Sequence, residues 1–233
     1  MMVREIAGPV GPLEVLLDEP PDERGVNRDG LVETGRSTGL RAAVVFGHPH
    51  PQYGGTMHTK AVYQSAKALA RIGCAVLRFN FRGVGKSEGE FDQGDGEMAD
   101  FRSALDYLAA RYPGTPLWAA GFSFGAWVAL ETGAVDPRVE LLIGIAPPVA
   151  TSVSGMTYTF PNTLASTKPK FFVQGEADDV CPIEGMWAFY GKLEEPKELV
   201  VIDAADHLFD GRTQEVGEAL QELLVDFGGE RKP

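Results

Sequence analysis

Apolar residues fall in two kinds of pattern along this chain. Residues 41–46, 75–79, 117–120, 141–145, 170–173 and 198–202 are short, nearly continuous apolar runs. Runs of that length without alternation predict strands buried on both faces. Between them, apolar positions recur at helical spacing. Val62, Ala66, Leu69 and Ile72 line one stretch, and Phe101, Leu105, Leu108 and Tyr112 line another, stopped by Pro113-Gly114. A small-residue helix is predicted from Phe124 to Thr132, and a last one carries Val216, Leu220, Leu223, Leu224 and Phe227. Strands alternating with amphipathic helices are βαβ units, which predict an α/β fold with a mostly parallel central sheet and helices on both faces. Residues 10–17 are expected to add an antiparallel edge strand. Residues 20–39, rich in Pro, Gly and charge, are read as a surface loop. The whole chain, 1–233, is expected to form one domain.

Composition narrows the picture. With 233 residues and 44% hydrophobic content the chain can bury a substantial core. Lys and Arg number 21 against 33 Asp and Glu, a formal charge of −12. Such a surface is repelled by nucleic-acid phosphates and anionic lipid, so neither partner is expected. Gly8, Pro9, Gly11 and Pro12 interrupt the N-terminus, where no secretory signal is visible. No apolar run nears the ~20 residues that span a bilayer. A soluble cytoplasmic protein is expected. Cys74, in an apolar run, reads as a buried small hydrophobe, and Cys181, in a loop, as partly exposed.

Candidate chemistry centres on Gly121-Phe122-Ser123-Phe124-Gly125, placed between an expected strand and an expected helix. In a turn that sharp, side chains two residues either side of the serine would collide, hence the glycines. The strained serine is lifted clear of the sheet at a helix N-terminus. A serine hydroxyl needs a base, and the base needs an orienting carboxylate. Of His48, His50, His58 and His207, only His207 follows Ser123, as the chain order Ser, acid, His requires on this type of sheet. Glu176, Asp178 and Asp179 follow the 170–173 strand, and position alone does not choose among them. Asp206 reads as a loop-shaping residue. Arg82-Gly83-x-Gly85-x-Ser87 lacks the lysine-serine pair of a phosphate loop and reads as a structural turn.

Gly47-His-Pro-His-Pro-Gln-Tyr-Gly-Gly-Thr-Met57, Arg78-Phe-Asn-Phe-Arg-Gly-Val-Gly-Lys-Ser87-Glu-Gly89, Gly-Phe-Ser-Phe-Gly and Asp206-His207 together resemble the small bacterial α/β-hydrolases. These are predicted serine hydrolases with carboxylesterase-like or dienelactone-hydrolase-like features. The likeness runs from about residue 8 to 227. It implies the α/β-hydrolase fold and a triad of Ser123, His207 and Asp178, the last chosen by a Gly-x-x-Asp-x-x-x-Pro pattern with Gly175 and Pro182 in register. It further implies an oxyanion hole formed by the backbone N–H groups of Phe124 and His50, where relatives carry His-Gly-x and this chain has His48-Pro49-His50. The elbow holds serine where dienelactone hydrolases proper use cysteine. The side chains of His48 and His50 are expected to hold their loop rather than ligate metal.

The expected reaction is transfer of an acyl group from a small-molecule ester to water, without metal or organic cofactor. Residues 149–168 are too few for a cap domain and are read as a short flap carrying Met156, Tyr158 and Phe160, which favours short- or medium-chain esters. Phe122, Met156, Tyr158, Trp187 and Phe209 are the candidate pocket residues. The rival readings are a peptidase or amidase of the same fold and a non-catalytic interaction protein that kept it. A homodimer is the prior expectation for assembly.

Overall fold

The computed structural model describes residues 4–20, 39–149, 152–153, 156–224 and 227. The expected loop at 20–39 lies almost wholly outside the described residues. Eight strands form one sheet: β1 (Glu5–Ala7), β2 (Pro12–Asp18), β3 (Ala42–Gly47), β4 (Cys74–Phe79), β5 (Leu117–Phe122), β6 (Val139–Ile145), β9 (Lys170–Gly175) and β10 (Lys197–Ile202). The short strands β7 (Ser152–Val153) and β8 (Met156–Thr157) pair separately as a small antiparallel ribbon. Order across the main sheet is β1-β2-β4-β3-β5-β6-β9-β10. From β4 to β10 the pairs are parallel, while β2 runs antiparallel to both β4 and β1. The sheet therefore differs from expectation at one margin. The antiparallel strand is not the edge, because the three-residue β1 covers it. A strand that short, with one buried residue (Ile6), carries too little pattern to be recognised in sequence.

Two apolar layers fill the space between sheet and helices, and the pleat sorts residues between them. Ala43 and Val45 of β3 join one layer, and Ala42, Val44 and Phe46 the other. On the first side pack α2 (Asp95–Arg111), α3 (Phe124–Val135) and α5 (Ile183–Tyr190), through residues such as Phe101, Leu105, Val128 and Phe189. On the second side lie α1 (Lys60–Arg71) and α6 (Thr213–Leu224), through Val62, Leu69, Val216 and Leu220. Gly217 lets α6 approach α1 closely, since a Cβ there would sit 3.2 Å from Ala68 Cβ. Both faces of the central strands are thus covered, which is why their sequences show apolar runs and not alternation.

The parallel strands share one direction, so β3, β5, β6, β9 and β10 deliver the loops that follow them to the same edge of the sheet. On an open α/β sheet the carboxyl ends of the strands are where a site is built. The segment after β6 adds the β7–β8 ribbon and the five-residue α4 (Pro161–Ala165), with no larger insertion.

Candidate active site

At the end of β5 the chain turns directly into α3, and Ser123 occupies the turn with φ 54° and ψ −120°. A non-glycine residue at positive φ is strained. Here the strain is held by the Ser123 N–H bond to Ile145 O (2.8 Å) and by close backbone packing on the glycine sides. A Cβ on Gly121 would lie 2.1 Å from Gly125 O, and one on Gly125 would lie 2.4 Å from Gly47 O and His48 O. The second glycine thus also admits the loop after β3 to within contact of the elbow.

Ser123 Oγ lies 2.9 Å from His207 Nε2, and His207 Nδ1 lies 2.9 Å from Asp178 Oδ2. A carboxylate only accepts, so Nδ1 carries the proton and Nε2 is left to accept from the serine hydroxyl. Asp178 stands in the turn after β9 and His207 in the loop after β10. These two loops are bound back to back: Glu176 N–H donates to Ile202 O (3.0 Å) and Ala177 N–H to Ala205 O (2.9 Å). Gly175 allows the approach, because a Cβ there would sit 2.5 Å from Ala205 O. The neighbouring acids have other partners or positions. Glu176 accepts from Ala204 N–H, Asp206 accepts from Asp210 N–H within its own loop, and Asp179 is exposed.

Phe124 is the first residue of α3, so its N–H has no carbonyl one turn back to bond. His50 follows β3 on the loop that Gly125 admits. The side chains of this loop do structural work. His48 is fully buried; its Nδ1–H donates to Pro49 O (2.6 Å) and its Nε2 accepts the Phe81 N–H (3.1 Å). Burial pushes its pKa down to about 4, which keeps the ring neutral.

A cavity of about 660 Å³ opens beside Ser123, with His50, Tyr53, Phe124, Tyr158, Val180 and Leu208 in its walls. Of the five side chains expected to line a pocket, Tyr158 does so and the others lie elsewhere. Phe122 and Phe209 are fully buried in the second apolar layer, where the Phe122 ring lies 5.5 Å from that of His207 and 6.1 Å from that of Phe209. They form the floor under the histidine. Met156 is half-buried against the first layer, and Trp187 is 52% exposed on α5 beside Tyr190. The pleat of β5 turns Phe122 away from the cavity and the phase of α5 turns Trp187 away, while Phe209, in the loop after β10, packs inward against Phe122. Cys181 is also corrected: it is fully buried, not partly exposed, because its N–H caps Asp178 (2.7 Å) and draws it inward. Atoms of Asp178, Cys181 and His207 lie within 4.8 Å of one another, the donor types of a metal site. The Ser-His-Asp hydrogen bonds already account for the position of two of the three.

Sequence reasoning missed Gln174. This fully buried residue is the last but one of β9 and donates from Nε2 to Asp178 Oδ2 (2.9 Å) and to Cys181 O (2.8 Å). The available signal is an amide side chain following the apolar run Phe171-Phe172-Val173, just before the turn that carries the acid.

A lidless eight-stranded α/β sheet with a serine elbow and a hydrogen-bonded histidine defines the class as an α/β serine hydrolase. Comparison with known proteins agrees. The family described as serine aminopeptidase, S33, matches residues 39–165. An α/β serine hydrolase homologue from Coxiella burnetii is 38% identical with a TM-score of 0.81, over 96% of this chain and 98% of that one. An α/β serine hydrolase without a lid, from Xanthomonas campestris, is 33% identical with a TM-score of 0.80, over 95% and 92%. An uncharacterized protein of Rickettsia prowazekii is 36% identical over 184 residues, 76% of each chain. The chain belongs to the α/β serine hydrolase family, among its small lidless bacterial members. Among the described residues, no helix is long and apolar enough to cross a membrane.

Proposed function

We propose that this protein is a carboxylesterase acting on short- or medium-chain esters, with Ser123 as nucleophile, His207 as base and Asp178 as the acid that orients it. The observation that carries this reading is the unbroken chain of two 2.9 Å hydrogen bonds from Ser123 through His207 to Asp178, at the wall of a cavity. Ser123 Oγ attacks the ester carbonyl while its proton passes to His207 Nε2. The oxyanion is held by the N–H groups of Phe124 and His50, helped by the N-terminus of α3. His207 then gives the proton to the leaving alcohol. Water, deprotonated by the same nitrogen, releases the acid and restores the serine. Asp178 accepts from Nδ1–H throughout, keeping the tautomer and stabilising the imidazolium. These steps use side chains and backbone of this chain alone.

The absence of a cap insertion between β6 and β9 favours small esters over long-chain lipids. Fold-level likeness points the same way: Est1E from Butyrivibrio proteoclasticus, solved with ferulic acid bound, has a TM-score of 0.78 at 19% identity. A fluorophosphonate probe should label the wild-type protein and leave Ser123→Ala unlabelled. No labelling of the folded wild type would sink the hydrolase reading. The family description favours a second reading, an aminopeptidase. Parallel assays with 4-nitrophenyl esters and aminoacyl 4-nitroanilides separate the two by which is turned over.

A further inference from the structure

The cavity beside Ser123 has two unlike sides. His207 must protonate the leaving oxygen, so the alcohol part of an ester stays beside it and the acyl part takes the side away from it. The wall around Phe124 is aromatic. The Phe124 ring is flanked by His50 at 5.0 Å and Tyr158 at 6.4 Å between ring centroids. Both flanking side chains line the cavity and are more than nine-tenths buried, with 6% and 5% of their surface exposed.

Their polar atoms are unmatched. Gln52 N–H donates to His50 Nδ1 at 3.2 Å, so this nitrogen is an acceptor and the proton of the neutral ring sits on Nε2. Burial lowers the pKa of His50, which favours that neutral form. The Nε2–H has no hydrogen-bond partner among the described residues and is sealed within the wall, out of reach of the cavity. Tyr158 Oη also has no hydrogen bond to the protein among the described residues, yet it is not one of the sealed, partnerless atoms, so it meets the cavity. An unmatched hydroxyl on a buried side chain is costly, and one that opens on the cavity beside the Phe124 ring calls for a ligand acceptor. The acceptor must be uncharged. Asp179 and Asp206 stand in the cavity wall, and none of the described residues lining it is Lys or Arg.

Tyr158 is firmly placed for this task. Trp127 Nε1–H donates to Thr159 O (2.8 Å), tying the segment to α3. Glu131, also on α3, accepts from the Thr163 N–H, the Thr163 hydroxyl and the Asn162 N–H, which anchors α4 just beyond.

Resting on the esterase reading above, we infer that this wall is an acyl subsite for aromatic acyl groups bearing an uncharged oxygen substituent, with Tyr158 Oη selecting for that oxygen.

The test compares 4-nitrophenyl 3-phenylpropanoate with 4-nitrophenyl 3-(4-hydroxyphenyl)propanoate, whose saturated linker keeps the ring substituent from altering carbonyl reactivity. Wild-type kcat/KM should favour the hydroxylated ester by about tenfold, the size of one neutral hydrogen bond, and Tyr158→Phe should reduce that preference to about twofold or less. Equal wild-type rates would overturn the inference, as would a full preference retained in Y158F. Should Y158F fail to fold, the wild-type ratio alone decides. Turnover of 4-nitrophenyl acetate with refusal of both aromatic esters overturns the subsite and leaves the esterase reading standing. Failure on all three esters overturns both.

Discussion

Gln174 and His207 share one oxygen of Asp178: each donates to Oδ2 at 2.9 Å, while Oδ1 takes the N–H groups of Val180 (3.0 Å) and Cys181 (2.7 Å). The carboxylate is therefore gripped on both oxygens before the histidine meets it. The amide orientation is unambiguous, since Nε2 faces two groups that can only accept, Asp178 Oδ2 and Cys181 O.

Gln174→Met keeps the volume and removes both donors. A hydrogen bond to a charged group contributes about 1.5–3 kcal/mol, so kcat on a 4-nitrophenyl ester should fall roughly tenfold or more. KM should stay within about twofold, because Gln174 does not line the cavity. Steady-state kinetics decide this, and an unchanged kcat would reduce Gln174 to a filler of space.

The elbow predicts a second outcome. Gly125→Ala places a Cβ 2.4 Å from backbone atoms of Gly47 and His48, and neither strand end can retreat without breaking the β3–β5 pairing. Overpacking of backbone against backbone lies at the severe end of single substitutions, about 3 kcal/mol or more. Urea unfolding of G125A should show that loss. A wild-type midpoint would mean that the elbow closes in another way.

Much of this site is legible in the sequence. Ser123 declared itself because its turn demands two glycines, and those demands are local. His207 followed from chain order, since only one histidine lies downstream. Asp178 was harder. Glu176, Asp178 and Asp179 share a loop, and what separates them is the direction in which a tight turn points each side chain, which spacing alone does not encode. Burial direction explains the misplaced residues as well. Phe122 alternates with Gly121 on a strand and faces the layer below the site, whereas Tyr158 lies beyond the β7–β8 ribbon and reaches the cavity. Gln174 escapes notice because a polar residue in a buried strand has meaning only once its partner on the following turn is known.

His48 makes stability depend on pH in a calculable direction. Its pKa is about 4 in the fold against an ordinary value of 6.5, because burial penalises the charged ring. Between those values the unfolded chain binds a proton that the folded protein does not, so stability is full above about 6.5 and is lost as pH falls toward 4. By pH 5 that loss should reach about 2 kcal/mol. His48→Gln removes the titration, though it weakens the loop at all pH values. The stability gap between wild type and H48Q, measured by urea unfolding, should therefore narrow by about 2 kcal/mol between pH 7.5 and pH 5. A gap independent of pH would show that His48 takes up its proton as readily in the fold as in the unfolded chain.

The last prediction concerns the turn that follows β4. Arg82 is read as structural, and its partner explains why. Asp100 on α2 is fully buried and accepts from Arg82 N–H (3.0 Å), from Nε–H (3.0 Å) and from Nη2–H (2.7 Å). Gly96, one turn earlier on α2, leaves room for the guanidinium: a Cβ there would sit 2.2 Å from Arg82 Nη1. Removing Asp100 leaves the mostly buried Arg82 with only the longer 3.8 Å contact to exposed Asp92; breaking a buried pair on one side costs about 3–5 kcal/mol, whereas replacing both by apolar residues is often close to neutral. Asp100→Leu alone should thus destabilise strongly, and Arg82→Met with Asp100→Leu should recover most of the loss. Phe81, the residue before Arg82, supplies the N–H that holds His48, so D100L should also lower kcat on a 4-nitrophenyl ester more than the double variant does. Urea midpoints and kcat measured on both variants test the two claims together. If the double variant is no more stable than D100L, the buried pair is not what sets the cost of that substitution.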